Sequence, residues 1–336
     1  MTILLIFAAV VVLLVLGVWL AFRLSPWPLV LIIRHMPALS GEGINERLEP
    51  YVPDGVVSVL DERYDPADRD GFLDVFRPAG PAGALPTIVW VHGGAFIAGT
   101  RVDLRNYLRI LAGRGFTTVG IEYSHAPERR YPTPVLQVTA ALAHLQRNAS
   151  RLGVDPDRIV LAGDSAGAQI AAQTALALCD PSFAAKAQLP IIAPPVGIRA
   201  TVLACGPYDL RLPDYQGEYG RFLKAIMWAY TGKKNFQDDP RFAYASLPQQ
   251  VTGQFPPAFL TVGNGDPLRR HSVALAEALR AQGVPVDALF YADDHQPLLD
   301  HEYQIDVGTE AGAAALERIV AHVEAYTSDR DRRAAR

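Results

Sequence analysis

Gly163-Asp164-Ser165-Ala166-Gly167 stands between an apolar run, Arg158–Ala162, and an alanine-rich stretch, Ala166–Cys179. A serine on a strand-to-helix turn, with glycine two positions before and after it, can project its hydroxyl above a sheet while strand and helix pack closely. The helix N-terminus behind it favours negative charge in front. The chemistry this allows is nucleophilic attack by Ser165 Oγ. A purely structural turn would use the same glycines. His92-Gly93-Gly94-Ala95-Phe96 follows the run Thr87–Val91. Glycine loops aim backbone N–H groups at empty space, which is what an oxyanion needs, and losing one such donor costs about 3–4 kcal/mol. Gly-Gly alone marks many turns, but its place one strand unit before the serine motif strengthens the reading. His92 reads as a brace for the loop rather than a base.

A serine nucleophile needs a base and an acid. Gly263-Asn264-Gly265-Asp266-Pro267-Leu268 follows the run Ala258–Val262, which puts Asp266 at the carboxyl end of a strand, where active-site carboxylates collect. Asp266 could hold an imidazole in one tautomer, or simply cap the next helix. Two histidines follow the last apolar run, His295 and His301. Either satisfies the chain order Ser, Asp, His. His35, His125, His144, His271 and His322 fall in the cap, a loop or helix faces and read as structural or solvated.

The elements that must position these residues alternate. Val56–Tyr64, Phe72–Phe76, Thr87–Val91, Phe116–Tyr123, Arg158–Ala162, Arg199–Cys205, Ala258–Val262 and Val286–Tyr291 read as strands; Val135–Asn148, Ala166–Cys179, His271–Ala281 and Thr309–Tyr326 read as helices. That rhythm predicts α/β architecture with a mostly parallel sheet. One connection breaks it. Residues 206–257 join two strands over a length that is usually functional, and they carry Phe222, Trp228, Tyr230 and Phe242. They read as a cap over the site, packed with Ser25–Leu39.

The first 24 residues have a different character. Ile3–Phe22 is uncharged throughout, and 20 residues of helix span about 30 Å, the hydrocarbon thickness of a bilayer. No basic segment precedes it and no clear cleavage site follows, so a retained single-pass anchor fits better than a signal peptide. Arg23 and Arg34 on its C-terminal side place the following domain in the cytoplasm by the positive-inside rule. The expected organisation is an anchor over 1–24, a cap and linker segment over 25–54, a catalytic domain over 55–327 and a disordered tail over 328–336. Net charge is −4 in 336 residues, which argues against nucleic acid. Cys179 and Cys205 read as two buried thiols.

Together these motifs resemble the hormone-sensitive-lipase-like family of α/β-hydrolases, which includes bacterial carboxylesterases and arylacetamide deacetylase. The resemblance covers about Asp61–Thr327. It rests on His92–Phe96, on Tyr123 with Ala126-Pro127-Glu128, on Gly163–Gly167 and on Asp266-Pro267-Leu268. It implies an α/β-hydrolase fold with an eight-stranded sheet and a helical cap. It implies a Ser165-Asp266-His triad and no cofactor. By motif position, the N–H groups of Gly94, Ala95 and Ala166 would form the oxyanion hole, with Gly93 shaping the turn. The family's His-Gly-Phe becomes His301-Glu302-Tyr303 here. That keeps the aromatic and favours His301 as the base, with His295 as the alternative. The expected activity is hydrolysis of short-to-medium acyl or aryl esters. Deacetylation near a membrane would use the same residues, and a non-catalytic ligand-binding homologue would use the same fold. Expected partners are a small-molecule ester and the membrane, which leaves room for a homodimer.

Overall fold

The computed structural model describes residues 1–35, 43–80, 83–191, 196–213 and 215–328. Its strands are β1 (Val56–Arg63), β2 (Phe72–Pro78), β3 (Leu85–Val91), β4 (Thr117–Ile121), β5 (Val154–Asp164), β6 (Ile198–Ala204), β7 (Ala258–Val262) and β8 (Val286–Phe290). They form one sheet in the order β1-β2-β4-β3-β5-β6-β7-β8. β1, β2 and β4 pair antiparallel, and β4 through β8 pair parallel. The expected α/β-hydrolase architecture is therefore what the chain adopts. β4 and β7 are buried at every position, as strands covered on both faces must be.

The helices are α1 (Thr2–Leu24), α2 (Trp27–Arg34), α3 (Ile44–Leu48), α4 (Arg105–Ala112), α5 (Thr133–Arg147), α6 (Ala149–Leu152), α7 (Ser165–Cys179), α8 (Pro181–Lys186), α9 (Gly217–Thr231), α10 (Arg269–Ala281) and α11 (Glu310–Thr327). Side chains alternate across the strands. Val89, Leu161, Leu203 and Leu260 face a core completed by Leu142 of α5, Ile170 of α7 and Leu275 of α10. Ile88, Trp90, Val160 and Phe259 face a second core with Tyr107 and Leu108 of α4 and Ile319 and Val323 of α11. Small residues on α7 (Ala168, Ala171, Ala172 and Ala175 are fully buried) let that central helix lie close to the sheet.

Residues 206–257 contain α9 and three short 3₁₀ turns. Helix α2 packs against α9 and buries Val30 and Ile33. Arg34 binds Glu128 through two 2.7 Å hydrogen bonds and also donates to the Ile97 and Ala126 carbonyls. Arg34, counted above as a charge flanking the anchor, is thus tied into the folded domain. The stretch expected to be a linker is partly built. Leu48 of α3 is buried, and Asn45 bonds to Asn106 and the Val102 carbonyl. The tail from residue 329 onward lies outside the described residues. Helix α1 buries none of its residues, and it is long and apolar enough to cross a membrane or to serve as a signal sequence.

Candidate active site

Ser165 opens α7 at φ +49, a left-handed conformation that residues with side chains hold only under constraint. Packing supplies the constraint. A Cβ on Gly167 would collide with the carbonyl oxygens of Val91 and His92, and one on Gly163 would lie 2.6 Å from the Gly167 carbonyl carbon. The glycines around the serine thus mark the closest approach of β5, α7 and the end of β3. Gly167→Ala should destabilise the fold by about 1–3 kcal/mol, read as a lower denaturation midpoint. An unchanged midpoint would mean the turn is looser than this.

The carboxyl ends of β5, β7 and β8 bring three side chains together. His301 Nδ1 lies 2.7 Å from Asp266 Oδ2, and His301 Nε2 lies 3.0 Å from Ser165 Oγ. With the ring proton on Nδ1 donated to the carboxylate, Nε2 accepts from the serine hydroxyl. Asp266 is buried, and its other oxygen accepts the Leu268 N–H at 2.7 Å. Asp266 is thus the imidazole partner and braces the turn before α10, but it does not cap that helix, whose N-cap is Leu268 without a side-chain bond. Asn264 fixes the loop that delivers the histidine: its side chain bonds to the His295 carbonyl and accepts the Leu299 N–H, each at 2.9 Å. His295 does not join the cavity lining; its ring lies against Tyr291, with centroids 4.5 Å apart.

Burial disfavours the protonated His301 ring, while Cys205 and Asp266 beside it favour that form, and the balance holds its pKa well above the usual histidine value. Burial pushes the Cys205 thiol up and keeps it uncharged at neutral pH, so the negative charge beside the ring is that of Asp266.

The glycine loop turns sharply. Gly94, Ala95 and Phe96 all have positive φ (+112, +54 and +64), and the Gly94 carbonyl accepts from Ile97 and Ala98. Gly93 donates its N–H to Asp164 Oδ2 at 2.8 Å, so it shapes the turn and has no donor to spare. Among the described residues, the N–H groups of Gly94 and Ala95 have no acceptor. That of Ala166, in the first turn of α7, has none within the helix. All three residues line the cavity with Ser165. His92 braces the loop: Nδ1 is 2.7 Å from the Gly93 carbonyl, Nε2 is 3.2 Å from Glu122, and the ring stacks on Tyr123, whose hydroxyl donates to the His92 carbonyl at 3.1 Å.

Asp164, Cys205 and Glu302 belong to this neighbourhood; from the sequence Cys205 was read only as a buried thiol, which it is, and the two carboxyls were not singled out. The signal for two of them was adjacency, since Asp164 precedes the serine and Glu302 follows the histidine. By distance, His92, Glu122 and His125, or Cys205, Asp266 and His301, could hold a metal. Both groups already have partners: Glu122 binds Arg101 at 3.1 Å, and Asp266 binds His301. The cavity holds about 300 Å³ and opens over Ser165. Phe96, Phe222, Leu223, Ile226, Met227 and Leu268 give it an apolar wall. Four of these come from α9. The site can therefore present a hydroxyl, a base and amide donors to an apolar substrate.

A family described as the alpha/beta hydrolase fold matches residues 88–296. The chain is 29% identical over 226 residues to esterase LipQ of Mycobacterium tuberculosis, covering 66% of this chain and 52% of that protein. It thus spans about half the length of that relative. It is also 29% identical over 269 residues to carboxylesterase NlhH of the same species, covering 74% of this chain and 80% of that one. The crystal structure of esterase B from Lactobacillus rhamnosis shares the fold, with a TM-score of 0.74 at 22% identity over 86% of this chain and 93% of that one.

Proposed function

The chain belongs to the hormone-sensitive-lipase-like α/β-hydrolases, and we propose that it is a serine carboxylesterase acting through an acyl-enzyme. The observation that carries this reading is the continuous contact Asp266–His301–Ser165 beside unpaired amides at 94 and 95. In the proposed reaction, His301 Nε2 takes the Ser165 proton as Oγ bonds to the ester carbonyl carbon. The carbonyl oxygen becomes an oxyanion facing Gly94, Ala95 and Ala166. The C–O bond to the alcohol then breaks, and the imidazolium returns the proton to the leaving alkoxide. Water repeats the sequence on the acyl-serine and releases the acid. Asp266 holds the ring and favours its protonated form.

The apolar wall and the cavity volume suit short-to-medium acyl or aryl esters. The esterase names of the relatives support the same class. Residues 206–257 serve as the cap, with α2 packed on it, and α1 is the single-pass anchor holding the catalytic domain at the cytoplasmic face. A fluorophosphonate probe tests the reading. Wild-type protein should label at Ser165 and lose p-nitrophenyl ester hydrolysis in step, whereas a ligand-binding homologue would neither label nor hydrolyse.

A further inference from the structure

Glu302 has no part in the reaction above, yet it stands inside the site. It follows His301, lines the cavity and holds φ +62, a conformation that glycine would take without strain. A Cβ added to Gly93 would lie 2.8 Å from Glu302 Oε1 and would also run into Asp164 Oδ2. Gly93 is therefore flanked by two carboxyl groups, whose oxygens Asp164 Oδ2 and Glu302 Oε1 both lie within 2.8 Å of the one point that a Cβ there would occupy. Two carboxyl groups can bond only with a proton between them. Asp164 already accepts Trp90 Nε1 at 2.6 Å and the Gly93 N–H at 2.8 Å. The serine turn, the glycine loop and the segment carrying His301 thus meet at this one pair.

We propose that Glu302 and Asp164 share one proton, and that this acid pair latches the glycine loop and the His301 segment to the serine turn. Glu302 is then a positioning residue for the oxyanion-binding amides. The inference rests on the esterase reading. The ionisable groups facing Glu302 are Asp164, Asp266, Cys205, Tyr123 and His301, whose Nε2 lies 3.7 Å from Oε1. Burial and the neighbouring Asp164 charge push the Glu302 pKa up to about 8, so the latch is closed at neutral pH. Above that, two carboxylates repel across Gly93, and a negative charge stands where the oxyanion must form.

The test is kcat/KM for p-nitrophenyl acetate from pH 5.5 to 9.5. Wild type should decline above about pH 8, approaching about tenfold per pH unit as one proton is lost. In E302Q the amide donates to Asp164 at every pH, so the alkaline decline should vanish while the acid limb stays. E302G suits φ +62 and should also lose the decline, with lower activity throughout because the latch is gone. Stability gives a second readout. The folded state keeps the Glu302 proton between pH 4.5 and about 8, while the unfolded chain releases it near 4.5. Wild type should therefore lose Tm relative to E302Q as pH rises from 5 to 8. Superimposable pH profiles for wild type and both variants overturn the latch. They would leave the esterase reading standing, because that reading fails only on loss of probe labelling and hydrolysis.

Discussion

Replacing Ser165 with alanine should lower kcat/KM for p-nitrophenyl acetate by about 10⁴–10⁶-fold, equivalent to about 5–8 kcal/mol of transition-state stabilisation. The loss is large because no acyl-enzyme can form without Oγ, and the remaining amides and binding contacts keep only a small residual rate. The change removes one oxygen whose partner is His301 Nε2, in a residue that is only 8% exposed. Folding should therefore survive, and an unchanged thermal melt would confirm that the loss is chemical. Hydrolysis at the wild-type rate by S165A would remove the serine from the mechanism altogether.

The second large effect separates the two histidines. His301→Ala should cost about 10³-fold or more in kcat/KM, whereas His295→Ala should stay within about threefold, because His295 packs on Tyr291 outside the cavity. The pH profile gives an independent check. The base works only when neutral, so activity should rise with pH through the His301 pKa. Because that pKa is held well above the usual value, the midpoint of the rising limb should lie above about 6.5. Asp266→Asn removes the carboxylate that favours the charged ring, so its limb should move to lower pH as its maximum rate falls. Equal losses for the two alanine variants would mean that His295 reaches the serine in the working enzyme.

The central strands were legible because burial on both faces demands uninterrupted apolar runs. Ala258–Val262 is read with the same ends in sequence and structure. The serine motif was legible because its glycines answer a steric demand visible without coordinates. Helix α4 was less so. Its buried face, Tyr107, Leu108, Ile110 and Leu111, is interrupted by Arg105 and Arg109, and it is backed by the neighbouring β4 together with β2, whose place beside it no local pattern encodes. The 43–51 stretch reads as turns by composition, yet Asn45 anchors it through tertiary hydrogen bonds that no local pattern encodes. The histidine stayed ambiguous for a related reason. Spacing allows either ring to follow β8, and what brings His301 rather than His295 to Asp266 is the Asn264 clamp on a loop with no periodicity to read. Glu302 was hidden differently, since a carboxyl beside a histidine signals nothing until its other neighbours are known.

The hydroxyl at 165 and the imidazole at 301 are 136 positions apart in the chain. A ribosome therefore finishes the serine turn and its glycine loop well before it makes the ring proposed to activate the serine. Throughout that interval the nascent polypeptide carries an alcohol with nothing to deprotonate it. In the proposed mechanism reactivity arrives only when the last third of the chain docks, so turnover should serve as a readout of completed folding, and an incomplete chain should be chemically silent.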